Sequence, residues 1–182
     1  MAVLEPVEID QFPQSVEAFI ELRDKIAQEP QGGVVMMLLA MFAYAEDENV
    51  GRQCLAIAVD RERLSEGPKG YEGLQLRASD IWLLHSQVKD KAYVLQSYVK
   101  GAVPENGYQL PEPPYVFEFS DNPHSGDPAM GTYKIFITSS GASSPRPVTV
   151  KRNDQGIWKA YEWSTLVVGV KEPEQEKGVD DL

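Results

Sequence analysis

The chain has one cysteine, two histidines and no cluster of basic residues. Each shortage removes a class of function. A single thiol, Cys54, excludes an intramolecular disulfide, and with only His85 and His124 beside it the Cys and His set of a structural zinc site is incomplete. CxxC and HExxH are absent, as are a GxGxxG after a strand and a GxxxxGK[ST], so no metal, nucleotide phosphate site or other cofactor is implied. None of the 17 Lys and Arg residues stands in a run longer than two, and the net charge is -11. Binding a phosphate backbone requires clustered cations that displace counterions, which excludes nucleic acid as a partner. The longest apolar run, Val34 to Ala45, falls short of the ~20 residues that span a bilayer, so no membrane segment is expected. The opening MAVLEPVEIDQFPQ has neither a basic nor an apolar signal-peptide region. Together with the lone cysteine, this places the chain in a reducing compartment, most simply the cytoplasm.

What remains is an ordinary acidic globular composition, 42% hydrophobic and 25% charged, at a length that suits one domain. Residues 1–14 are punctuated by proline and form an extended lead-in, 15–170 one α+β domain, and the charged 171–182 a flexible acidic tail. Ser15 is the N-cap of a helix in which Val16, Phe19, Ile20, Arg23, Ile26 and Ala27 follow amphipathic spacing; Glu29-Pro30 and Gly32-Gly33 stop it. The run VVMMLLAMFAYA is apolar on all sides, a helix enclosed by protein. A third helix follows Glu46-Asp47-Glu48 and turns Val50, Cys54, Leu55, Ala58 and Val59 inward. Ser65–Gly73 reads as a connector, and Ser79 as the N-cap of a helix whose inner face carries Ile81, Leu84, Val88 and a hydrogen-bonded core histidine, His85. Residues 92–109 alternate like a strand before Pro104, Asn106 and Gly107 force a turn.

From Tyr115 the period is two. Tyr115, Phe117 and Phe119 share one strand face, and Tyr133, Ile135 and Ile137 another. Val148–Val150, the Asn153–Gly156 turn and Ile157–Ser164 form a hairpin, with Pro145 and Pro147 confining the strand start to the region of Pro147. Helices first and antiparallel strands last give an α+β domain, its N-terminal helices packed on the C-terminal sheet. The closing hairpin, a valine-rich strand, a Gly-bearing turn and a Trp-Lys strand, resembles that of cone-shaped sheets such as the nuclear-transport-factor-like fold.

Three places invite chemistry. His124 in DNPHSGDP is a solvated turn made of turn-forming residues, not a triad. Glu162 shares an alternation face with Trp158 and Ala160, so a buried Glu162 needs a cation, for which Arg146 and Lys134 are the candidates. In SSGASSPRP, Arg146 is held between two prolines and presented to a carboxylate, first of all this chain's own.

The strings Ser97–Ala102 with Pro104–Tyr108, then Ser139–Val148, then Glu162, Ser164, Leu166 and Val168-Gly169-Val170 resemble a bacterial family of unknown function. In that family a GA-x-PENGY turn and an SSGA-x-SPRP loop precede a terminal Trp strand. The resemblance carries no activity, but it implies that the two loops form one feature. The functional expectation is a non-enzymatic domain binding a protein partner or small ligand through residues 97–108 and 139–147. Tyr98, Lys100, Glu105, Tyr108, Arg146, Glu162 and Trp163 are its candidate contacts. A small enzyme with Glu162 as general base in an aromatic-lined pocket is the second reading. A structural module, homo-oligomeric through an apolar patch, is the third.

Overall fold

Helix α1, Val16–Ile26, begins where Ser15 Oγ accepts the Ala18 amide. Its expected terminator is instead the start of the next element. Pro30 opens α2, Pro30–Glu46, in the first turn, where a helix has no use for that residue's N–H. Gly32 and Gly33 are helical, and a Cβ on Gly33 would lie 2.9 Å from both Cβ and the carbonyl oxygen of Trp158, so glycine is what lets this helix touch a strand. The apolar run is enclosed as its composition requires, with Val34 to Met41 buried. Asp47 then caps α3, Glu48–Ala58, by accepting the Asn49 and Val50 amides. Helix α4 runs Ala78–Val88 and starts before the expected Ser79, without a side-chain cap. His85 is half exposed rather than a core residue, with Nδ1 3.1 Å from the Tyr44 hydroxyl and 3.6 Å from Glu48.

The structure is a computed structural model in which residues 1–174 are described. Its main sheet has five antiparallel strands in the order β1 (Ala2–Val3), β6 (Phe119–Asp121), β7 (Thr132–Ile137), β8 (Arg146–Arg152), β9 (Trp158–Glu162). Two small ribbons flank it: β2 (Val7–Ile9) with β5 (Tyr115–Phe117), and β3 (Leu64–Tyr71) with β4 (Leu74–Leu76). The extended lead-in therefore supplies two paired strands. The expected strand from Tyr115 is divided at Glu118, because its two halves pair with different partners. The 65–73 connector is a hairpin arm, turned by Glu72 and Gly73, both at positive φ.

Residues 93–98 correct the expected strand. Helix α5 occupies Tyr93–Gln96, and Val94, Leu95, Tyr98 and Val99 are buried together at helical spacing. The fold is α+β, with α2 lying across the inner face of β7, β8 and β9. Lys171 and Glu174, expected in the tail, are held by backbone bonds to Gly141 and Pro104; the rest of that expected tail, 175–182, lies outside the described residues. No helix among the described residues is long and apolar enough to cross a membrane.

Cys54 sits in the core, where burial pushes its thiol up to about 12. Since the folded value lies above the ordinary 9.0, this group's stabilisation is complete below pH 9 and is lost as pH rises towards 12. Urea midpoints of wild type should fall more steeply above pH 9 than those of Cys54→Ala. The native thiol should also stay unreactive to a disulfide reagent until the chain unfolds.

Candidate functional site

Two neighbouring features collect the residues singled out from sequence. The first is a clasp. The 97–108 and 139–147 loops meet through Ser139 Oγ donating to Ser97 Oγ at 2.8 Å, the Ser140 amide to Ser97 O at 2.9 Å and Ser140 Oγ to Ala102 O at 2.7 Å. Both loops then grip the C-terminal segment. Tyr98 is buried and donates its hydroxyl to Leu166 O at 2.6 Å; Tyr108, also buried, donates to Lys171 O at 2.5 Å. Burial holds the Tyr98 hydroxyl proton well above the ordinary tyrosine range, with nearby Arg146 partly offsetting it.

Arg146 does not reach Glu162. Its guanidinium donates to the Val168 and Gly169 carbonyls, each at 3.1 Å. Gly169, at positive φ, makes room for it, since a Cβ there would lie 2.5 Å from Arg146 Nη2. The proline frame thus presents the arginine to backbone carbonyls rather than to a carboxylate. Lys100 is exposed and 3.6 Å from Glu118, and Glu105 is exposed at the PENGY turn.

The second feature is an open cleft of about 350 Å³ on the outer side of the sheet. Its floor is a row across three strands: Lys134 on β7 faces Thr149 on β8, which faces Glu162 on β9. A bulge puts Glu162 there. The register runs from Val150–Ala160 to Thr149–Glu162, leaving Tyr161 as the extra residue and turning Glu162 away from the buried Trp158 and Ala160 face. Arg63, from the 3-10 turn Arg61–Arg63, lies 3.5 Å from Glu162 and stacks 4.2 Å over the Tyr161 ring. Asp80, in the first turn of α4, faces the cleft; burial raises its carboxyl, opposed by Arg77 and Arg63. Ser164 and Thr165 also line it, together with the buried Trp163.

Two charges in this cleft are conspicuous. Lys134 makes no ion pair among the described residues, and Arg63 Nε is buried without a hydrogen-bond partner. Of the residues expected from sequence, Glu162 and Trp163 reach the cleft, whereas Tyr98, Tyr108 and Arg146 belong to the clasp. Arg63, Asp80 and Thr149 were not expected. No local pattern marks them, because only the fold brings a 3-10 turn, a helix start and a strand centre together.

The model of a protein family described as a domain of unknown function, DUF6935, matches residues 11–174. The chain belongs to this family. The match takes in both the clasp and the cleft, so in this DUF6935 domain the two lie within a single family unit. No curated protein and no solved structure matches the chain. The family description carries no chemistry, and the functional reading of the DUF6935 domain rests on the cleft itself.

Proposed function

We propose that the protein is a non-enzymatic binding module whose recognition surface is the cleft, and that its ligand is a short zwitterionic chain such as a peptide or a long ω-amino acid. The observation carrying this reading is the Lys134–Thr149–Glu162 row, a cation without an ion-pair partner among the described residues and an acid two strands away. Two strand spacings separate their backbones by roughly 10 Å. A tripeptide spans about the same distance between its termini, whereas the charges of an α-amino acid lie too close together. The cleft itself carries both signs, Lys134 and Arg63 with Glu162 and Asp80, so a zwitterion meets a complement for each of its ends. The clasp loops support this surface by holding Thr165, Leu166, Val168 and Gly169 next to it. One buried thiol and the absence of any disulfide support a cytoplasmic setting.

The reading as a carboxylate enzyme gains less support: Glu162 is mostly exposed, near Arg63, in a cleft open to solvent. The probe is triglycine, titrated by isothermal calorimetry or NMR. Binding is expected to weaken roughly tenfold in Lys134→Glu, the order for reversing one exposed charge. Acetate and methylamine, each carrying one charge, should bind detectably less. Equal affinity for wild type and Lys134→Glu would overturn the reading.

A further inference from the structure

A second recess, separate from the Lys134–Glu162 cleft, carries a different chemistry. It has a volume of about 450 Å³ and lies between α1, the end of α3, the β3–β4 hairpin and β9. Its distinctive group is the amine of Lys159. That amine donates to the carbonyl of Ile57 in the last turn of α3, and its side chain lines the recess next to Arg23. Arg61 faces the same space and makes no ion pair among the described residues, unlike Arg23, whose guanidinium is engaged by Asp24 at 2.9 Å. Tyr71 and Glu66 line the opposite wall.

We infer that Lys159 is a carbonyl-reactive amine, and that the recess takes a small 2-oxo acid whose carboxylate is held by Arg61. An amine held beside one guanidinium, with a second guanidinium unengaged in the same recess, has the arrangement that orients a ketone bearing a carboxylate. The unshared pair of the neutral amine attacks the carbonyl carbon to give a carbinolamine. Loss of water, made from the carbonyl oxygen and two protons that leave the nitrogen, yields the imine. No oxidant or reductant enters. Tyr71 and Glu66 are groups able to pass a proton to the departing oxygen.

Electrostatics supports the geometry. Burial, then Arg23, lower the Lys159 amine to about 8, against smaller opposing effects of Asp60 and Asp24. The remaining charges around it are Arg61, Glu66 and Glu72 in the recess, Asp154 in the hollow that adjoins it, and Lys151, its register partner on β8. At pH 8 an amine titrating near 8 has about 100-fold more free base than an ordinary lysine, which half-burial and lower basicity reduce to roughly tenfold in rate.

A lysine that only caps the end of α3 is the competing account, and the test separates the two. The full chain is incubated with pyruvate and sodium cyanoborohydride, and the 1-carboxyethyl adduct is mapped by peptide mass spectrometry. Lys159 should be labelled roughly tenfold faster than exposed lysines such as Lys69 and Lys91, with labelling rising through pH 8. Arg61→Gln should slow pyruvate labelling severalfold while leaving acetone labelling unchanged. Labelling of Lys159 at or below the exposed lysines would overturn the inference, as would an Arg61→Gln effect equal for acetone and pyruvate. If Lys159→Arg melts at the wild-type temperature and the chain still takes up the same total amount of pyruvate adduct, the assignment to this amine also falls. Triglycine binding at the Lys134 cleft is unaffected by Lys159→Arg if the two sites are independent, so failure of one reading is distinguishable from failure of the other.

Discussion

Gly51→Ala should cost the protein about 2 kcal/mol of stability, although the residue lies inside a helix where alanine is the better former. Intrinsic propensity favours the exchange by about 1 kcal/mol. Against that gain stands the contact between α3 and α2. A Cβ on Gly51 would lie 2.1 Å from Tyr44 Cα and 2.4 Å from its backbone nitrogen, so the two helices touch backbone to backbone. Backbone atoms inside two helices cannot step aside as a flexible side chain does. Overpacking of a close core typically costs 1–3 kcal/mol, and relief here requires moving a whole helix off its neighbour. The steric term is therefore the larger. Urea denaturation followed by circular dichroism should show a lowered midpoint with an unchanged slope; a midpoint at or above wild type would mean that the helices separate at little cost.

Tyr108→Ala should cost about 3–5 kcal/mol, the range for removing a fully buried aromatic side chain. The ring is completely buried, stacks with Tyr93 at 5.7 Å between centroids and lies directly under Gly141, where a Cβ would meet its hydroxyl at 2.1 Å. Tyr108→Phe isolates the hydroxyl. It removes the bond to Lys171 O and leaves the ring, so a loss of about 1–2 kcal/mol is expected. The two variants also differ in reach. In Tyr108→Ala the amides of Lys171 and Glu174, bonded to Gly141 and Pro104, should lose protection from hydrogen exchange, while those of β7 and β8 keep it. Uniform loss over the sheet would mean that the loops are part of the core's cooperative unit rather than a local clasp.

Much of the scaffold is legible in the sequence because its signals are local. Ser15 before an amphipathic run, a run of twelve apolar residues, and Asn153 to Gly156 between two strand patterns each specify an element from its own residues. Legibility fails where tertiary context decides. Residues 93–98 satisfy both a period of two and a helical spacing, and burial of Val94 with Tyr98 selects the helix. Pro30 and two glycines look like a stop, but the first turn of a helix accepts Pro30, and Gly33 leaves room for the strand beneath it. The candidate site was half visible. Glu162 and Trp163 stood out by type, but a one-residue bulge reversed the face that alternation assigned to Glu162. Arg146 stood out by its proline frame and proved to be bound to carbonyls that the sequence places far from it.

The division of labour between clasp and cleft is tested most directly by mapping amide shifts during an NMR titration with triglycine. Shifts should centre on Lys134, Thr149, Glu162 and Ser164, with Gly101, Ser140 and Gly141 unmoved. Shifts centred on the 97–108 and 139–147 loops, or none at Lys134 and Glu162, would contradict it.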